Sequence, residues 1–583
     1  MRRDHRTTVT NVLVIGSGGA GLRAAIAAHD AGREVTIVGK RLRTDAHTVL
    51  AAGGINAALG TVDPEDTPRW HFVDTWNEGY HLADPRKVEL LVEEAPERIR
   101  ELAEWGMPFA RTDGGELDQR YFGAHRYRRT CYAGDWTGRA MLETLHEQVR
   151  ERGIPIVERT YVSSLLVTEG TCFGALTFDL SSGERVVHLA DAVVLAGGGH
   201  TRLWRRSSSR RDENNGDAMY LALAAGAELV DLELVQFHPT GMTHPEEWAG
   251  QLVTEAVRGE GGHLKNADGE RFMERYDPER LELSTRDRVA LANYTEIREG
   301  RGGPNGGVFL DISHLDRATI REKLPRMHRQ LIEAQMLDIA EQPIEVAPTA
   351  HYSMGGVHVD PATGASGVDG LFAAGEITGG LHGANRLGGN SLTETVVFGR
   401  RAGEAAAVHS DELSVQLRSK PAVTAALEEL DAFVHEGDEV VRVGQRELRD
   451  IMWEHVGVVR DEQGLDAGVE RLLTLRELIP SLDVQPDSQG HQDLAGVLDL
   501  RGSIVSALAT AQCAKQRRET RGAQQREDHP DRDDEHQLVN YLVRLDDAGE
   551  LACSSQPRVE VPDHLADWAR PAEAVDASDR LLE

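Results

Sequence analysis

The chain has 583 residues, 40% hydrophobic and 27% charged, the make-up of a folded globular protein too long for one core; at ~150 residues per domain, about four units are expected. Its 64 basic and 96 acidic residues give a net charge of −32, which excludes nucleic acid and direct adsorption to anionic lipid. Cys131, Cys172, Cys513 and Cys553 lack CxxC spacing, so neither a metal site nor a disulfide framework is expected, and a reducing cytoplasm fits.

MRRDHRTT precedes an apolar run that is too short and too glycine-rich for a secretory signal. That run, residues 11–15, is predicted as the first strand. It leads through Gly16, Ser17, Gly18, Gly19, Ala20 and Gly21 into an alanine-rich helix, and a second strand follows at 34–38. Strand, glycine turn and helix in this order predict a dinucleotide site: Gly16 for the tight turn, Gly18 for close approach of a pyrophosphate, Gly21 for close packing of helix on sheet. The helix N-terminus then offers free N–H groups to the phosphates. The acidic residue that would bind a nicotinamide cofactor's ribose is absent after the second strand, where Gly39 and Lys40 stand instead.

Next comes RTDAHTVLAAGGINAALG, which places His47 ahead of the flexible pair Gly53 and Gly54. Residues 70–84 and the stretch VELLVEEAPERIRELAEWG carry helical periodicity. Residues 154–180 and 185–195 alternate as strands and end in AGGGH, a turn suited to backbone passing close to a cofactor. An unusually polar loop, 207–213, precedes Asp217. From 232 the strand–helix alternation stops, and it resumes with HYSMGGVHV and LFAAGEITGGLHGANRLGGNSLTETVVFGRRAGEAA. The fold class is α/β: a Rossmann-like FAD-binding domain (1–231 and 346–405) interrupted by a capping domain (232–345) and followed by a helical domain (406–515) and a tail (516–583) whose charge run is expected on the surface. No stretch of ~20 apolar residues is found, so no membrane crossing is expected.

Four segments together carry a family resemblance: AHTVLAAGGINAALG; LVQFHPTGM with QLVTEAVRGEGGHLKNADGERFM and LSTRDRVA; HYSMGG; and GANRLGGNSL. In this order, over nearly the whole chain, they resemble the flavoprotein subunit of succinate dehydrogenases and fumarate reductases. The resemblance implies FAD carried covalently on His47. It places Lys40, Arg41, Thr48, Gly53, Gly54, Asp217, Glu376, Ser391 and Leu392 around the cofactor, with the stretch from Phe122 to Gly138 beside it. It assigns His238 and Thr254 to one carboxylate of a four-carbon dicarboxylate, and His351 and Arg386 to the other. Arg286 is implied as the proton donor and acceptor, with Glu255 and Arg258 as its relay. Three features depart from the family: the loop 207–213 lacks its threonine and asparagine pattern, and Ala52 and Ala256 replace its usual Gln and Gly.

The implied chemistry is physically coherent. A dianion with a charge at each end needs donors at both ends, and an arginine's planar fork grips two oxygens where a lysine cannot. Arginine is protonated at any ordinary pH, so its role requires a desolvated cationic cluster in which Glu255 resupplies the proton. The competing reading of Arg286 is an ion pair with Asp287. The chain has no cysteine cluster or haem motif to drain electrons, so the resemblance implies an iron-sulfur partner and a quinone-reactive membrane anchor, with this chain at the cytoplasmic face. Two alternatives are an L-aspartate oxidase, which shares HPT and TEAVRGEG but lacks His47, and a non-catalytic flavin scaffold, which would lose Arg286 or Arg386.

Overall fold

The central sheet runs in the order Ile156–Val157, Val35–Val38, His5–Ile15, Arg185–Leu195, Thr171–Asp179 and Thr160–Thr168. The structure is a computed structural model describing residues 5–42, 44–486 and 490–570; the outermost parts of the first and last assigned stretches, 1–4 and 571–583, lie outside the described residues. His5–Ile15 starts earlier than its apolar run, because HRTTVT pairs in parallel with the first half of Arg185–Leu195 while keeping most of its side chains out of the core. Arg185–Leu195 changes neighbour along its length. Its first half lies antiparallel to Thr171–Asp179, and its last three residues lie parallel to Leu371–Ala373. Through that last pairing the chain rejoins the first sheet after the long insertion.

Helix Gly19–Asp30 packs on helix Asn390–Glu412 almost backbone to backbone. A Cβ at Gly399 would stand 2.7 Å from the Ala20 carbonyl, and one at Gly403 2.2 Å from that of Ala24, so two glycines four residues apart make one smooth helix face. This contact brings both helix N-termini to the same place.

The inserted stretch builds an antiparallel sheet of Val235–Met242, Ile344–Ser353, Val308–Asp311 and His263–Lys265. Strand Ile344–Ser353 runs through the 345/346 boundary, and helices Asn390–Glu412 and Gln492–Gln516 run through 405/406 and 515/516. Helices Lys420–Ala432, Val441–His455, Glu462–Glu477 and Gln492–Gln516 share an apolar core with Tyr161 and Phe178 of the first sheet. Gln492–Gln516 is long and apolar enough to cross a membrane by length and composition alone, but 83% of its apolar window is buried inside the protein. It packs as a core helix.

The tail also differs from expectation. Arg517, Arg521, Gln524 and Arg526 are buried, and only the acidic run that follows is mostly exposed. Arg517, just ahead of the charge run, reaches Glu233 at 2.6 Å and Asp231 at 3.2 Å, and Arg526 within it reaches the sequence-distant Glu462 at 3.1 Å. A buried arginine is tolerable only with such partners.

Candidate functional site

A continuous cavity of ≈ 560 Å³ runs from the glycine turn to the capping sheet, within the usual range for cofactor pockets. At one end Gly16 adopts φ +115°, and a Cβ there would stand 2.2 Å from the Ala196 carbonyl; a Cβ at Gly21 would stand 1.9 Å from that of Gly16. The N-cap of helix Gly19–Asp30 is Gly18, which has no side chain to cap it, and of the first-turn groups the Gly19 N–H donates to Thr48 Oγ1 at 3.1 Å. Helix Asn390–Glu412 brings its first turn, with Ser391 and Leu392, to the same cavity. Two N-termini with glycine at the N-cap and a backbone stripped of Cβ atoms fit a pyrophosphate.

Lys40 Nζ pairs with Asp217 at 2.5 Å and Asp499 at 2.9 Å. Burial alone would lower the Lys40 pKa, but the two carboxylates outweigh it and raise it. Arg41 pairs with Asp45 and with Asp212. His47 opens a short 3₁₀ turn, His47–Leu50, and its Nδ1 lies 3.2 Å from Glu213 Oε2. Gly53 sits against the Phe122 ring, and Gly54, at φ +137°, leaves no room for a Cβ beside Thr130. Glu376 accepts from the Ser353 N–H at 3.1 Å and from Asn214 at 3.3 Å.

At the other end, strand Val235–Met242 presents Gln236 and His238 on one face, two residues apart. His238 Nδ1 accepts the Thr240 N–H at 3.2 Å, which assigns its proton to Nε2 and makes that nitrogen a donor. Burial, then Arg286, Arg258 and Arg386, hold its pKa well below the ordinary value, so the ring is neutral. His351, on Ile344–Ser353, lies edge-on with ring centroids 5.3 Å apart and is held neutral by burial and Arg386. Its Nδ1 contacts Ser208 Oγ at 2.9 Å. Arg386 lies over the Tyr352 ring at 4.4 Å; burial and the nearby Arg286 lower its pKa to about 10, so it stays charged at neutral pH.

Arg286 is the first residue of helix Arg286–Glu296. Its Nε and an Nη bind Glu255 Oε2 at 2.9 and 2.8 Å, and Arg258 approaches the same oxygen at 3.7 Å. Burial would raise the Glu255 carboxyl, but Arg286 and Arg258 hold it down to about 2. Asp287 instead accepts from Tyr80 at 2.6 Å and Asn385 at 3.0 Å, so the plain Arg286–Asp287 pair is not what the structure shows. Thr254 Oγ1 lies 3.4 Å from the Ala256 N–H.

Every candidate cofactor, substrate and proton-transfer residue named from the sequence lines this cavity except Gly21, which packs the helix on its strand, and Arg258, which is buried behind Glu255. Sequence reasoning missed several neighbours. Gln236 Oε1 accepts from Arg386 at 3.0 Å and Arg286 at 3.2 Å, fixing the two cations in one geometry; its place two residues before His238 on a strand was a usable signal. Asp499, one of two carboxylates in helix Gln492–Gln516, pairs with Lys40 at 2.9 Å, and its place in a mostly apolar stretch was a usable signal. Glu213 and Ser208 lay in the polar loop, whose composition gave no role.

Comparison with known proteins agrees with this geometry. A FAD binding domain model matches residues 11–392, and a fumarate reductase flavoprotein C-terminal model matches 445–563. The chain is 46% identical to one subunit of the fumarate reductase (CoM/CoB) of Methanothermobacter marburgensis, covering 89% of this chain and 94% of that one. It is 37% identical to the succinate dehydrogenase flavoprotein subunit of Rickettsia bellii, covering 94% and 95%. A solved E. coli quinol fumarate reductase chain superposes with TM-score 0.91 at 32% identity, covering 98% and 100%. With a family model over more than half of the sequence and relatives along nearly all of it, the chain belongs to the succinate dehydrogenase and fumarate reductase flavoprotein subunits, FAD-binding oxidoreductases.

Proposed function

We propose that this chain interconverts succinate and fumarate and exchanges the electrons with an iron-sulfur subunit. The observation that supports this most is one cavity holding the glycine turn at one end and Arg286, Arg386, His238 and His351 at the other. When bound, FAD supplies hydride transfer. His238, through its Nε2–H, and Thr254 hold one carboxylate, and Arg386 with His351 holds the other. Two neutral imidazoles and two arginines suit a dianion: Arg286 is already paired with Glu255, whereas Arg386 is a buried cation whose Nε has no partner among the described residues and which a substrate carboxylate would satisfy. Gln236 keeps the arginines apart at fixed spacing, which leaves the two central carbons in register with Arg286.

In fumarate reduction Arg286 gives a proton to the carbon next to the one that receives hydride. Glu255, ionised and in contact with Arg286 and Arg258, returns the proton along the line Arg258, Glu255, Arg286. The reverse order serves succinate oxidation. His47 carries FAD covalently through the nitrogen that does not face Glu213. The chain sits at the cytoplasmic face of the membrane through an iron-sulfur protein and a quinone-reactive anchor.

A second reading concerns only the electron partner. The Methanothermobacter relative is named for CoM and CoB, so thiol coenzymes replace quinone in that reading, with the same fumarate chemistry here. The test uses purified chain alone and with its partner subunits. Alone, it should couple succinate to an artificial dye. With iron-sulfur and anchor subunits it should reduce quinone; fumarate reduction driven by thiols and not quinol would favour the second reading. Rapid oxygen-dependent turnover of aspartate would overturn both.

A further inference from the structure

We propose that Glu213 is a positioning residue for the covalent flavin link: it holds the Nδ1 proton of His47, so that Nε2 is the nitrogen that joins the cofactor. This rests on the reading that His47 is the linked residue. Glu213 is 6% exposed by its side chain, and its Oε2 faces His47 Nδ1 at 3.2 Å. His47 Nε2 has no hydrogen-bond partner among the described residues, and His47 lines the cavity. The carboxylate is itself braced: its Oε2 accepts the Arg210 N–H at 3.3 Å, and Arg41 Nε lies 3.4 Å from its Oε1. Arg41 and Arg210 both bind Asp45, two residues before His47. The polar loop whose composition departs from the family is thereby tied to the segment that carries the histidine.

A carboxylate at one ring nitrogen decides which nitrogen bears the proton. With the proton on Nδ1, the lone pair is on Nε2. In the linking step the Nε2 lone pair would form the bond to the flavin's 8-methyl carbon, the displaced methyl proton would pass to solvent water, and the electron pair of the broken C–H bond would stay in the ring, leaving it two electrons reduced. Fumarate, the acceptor in the proposed reaction, takes those electrons. The linked imidazole keeps its Nδ1 proton and is a cation, which Glu213 faces. The other charged groups turned toward His47 are Glu376, which favours its protonated form, and Arg210, which opposes it; burial also opposes it, and the Glu213 contact prevails. His351, the remaining titratable neighbour, is held neutral.

The experiment reconstitutes apoprotein with FAD and fumarate and follows acid-stable flavin fluorescence on a denaturing gel from pH 5.5 to 9, with total FAD measured after native desalting. Wild type and Glu213→Asp should link. Glu213→Ala should retain FAD but link about 10- to 100-fold more slowly, the loss expected for a charge-assisted hydrogen bond, with the inflection of its pH profile moved to lower pH. Linking of Glu213→Ala at the wild-type rate with an unmoved profile would overturn the proposal while leaving His47 as the link. If Glu213→Ala failed to retain FAD, Glu213→Gln would decide: slow linking with a moved profile supports the assignment, and wild-type behaviour overturns it. Release of all flavin from the wild type would instead refute the covalent reading itself.

Discussion

Replacing Arg286 with Gln should remove the proposed proton donor to substrate while leaving the proposed dicarboxylate clamp standing. Arg286 contributes two bonds to Glu255 and one to Gln236. After its loss Glu255 keeps Arg258 at 3.7 Å and the Gly123 N–H at 3.2 Å, and Arg386 keeps Gln236 at 3.0 Å. The carboxylate is therefore not stranded, and neither the flavin end nor Arg386 loses its support. A positioned proton donor is worth roughly 10²–10⁴ in rate, or about 3–5 kcal/mol of barrier. In anaerobic fumarate reduction with a reduced dye, Arg286→Gln should lower kcat by that factor, with KM changed only a few-fold and FAD content unchanged. A kcat within about threefold of wild type would refute the proton path. Equal loss of FAD and activity would point to damage to the fold, which Arg286→Lys would expose by restoring FAD without restoring rate.

His47→Ser should bind FAD without covalent fluorescence on an acid-denatured gel and oxidise succinate poorly; fluorescence that still migrates with the chain would place the link elsewhere. Arg386→Ala should chiefly weaken dicarboxylate binding, since truncating one partner of a buried charge pair costs about 2–5 kcal/mol, roughly 30- to 4,000-fold in Kd; titration of flavin absorbance with substrate or a dicarboxylate inhibitor reads this directly. His125 is buried, its Nε2 2.9 Å from the Gly388 carbonyl, and burial followed by Arg129 lowers its pKa to about 3. Its folded value lies below the unfolded value of ~6.5, so the unfolded chain takes up the proton first and stability falls as pH drops below ~6.5. His125→Asn removes that penalty: its stability relative to wild type should improve by about 2 kcal/mol between pH 7.5 and 5, measured as urea midpoints, and a constant difference would contradict a neutral His125.

Much of the cofactor end was legible because its signals are local. A strand, three glycines and a helix fall within a few residues, and each glycine has a steric reason visible in one short stretch. That His238, Arg286, His351 and Arg386 line one cavity was legible only through several segments taken together, since they come from two strands, a helix start and a loop. What stayed hidden were contacts whose partners lie far apart. Arg526 read as part of a surface charge run because Glu462, one of its partners at 3.1 Å, belongs to a different part of the chain. Gln492–Gln516 escaped notice as a long apolar helix because Asp499 and Arg501 interrupt its hydrophobic run, and the structure gives each a partner, Lys40 for one and Glu429 for the other. Glu213 looked like a departure from a pattern until the fold set it beside His47.

In the proposed function, succinate and fumarate are the molecules this flavin site holds. Anaerobic mixing of the purified FAD-loaded chain with succinate tests it most directly, with no partner subunit or dye involved. Succinate should bleach the flavin absorbance, fumarate should restore it, and aspartate should do neither. Bleaching by aspartate with no response to succinate would contradict the account.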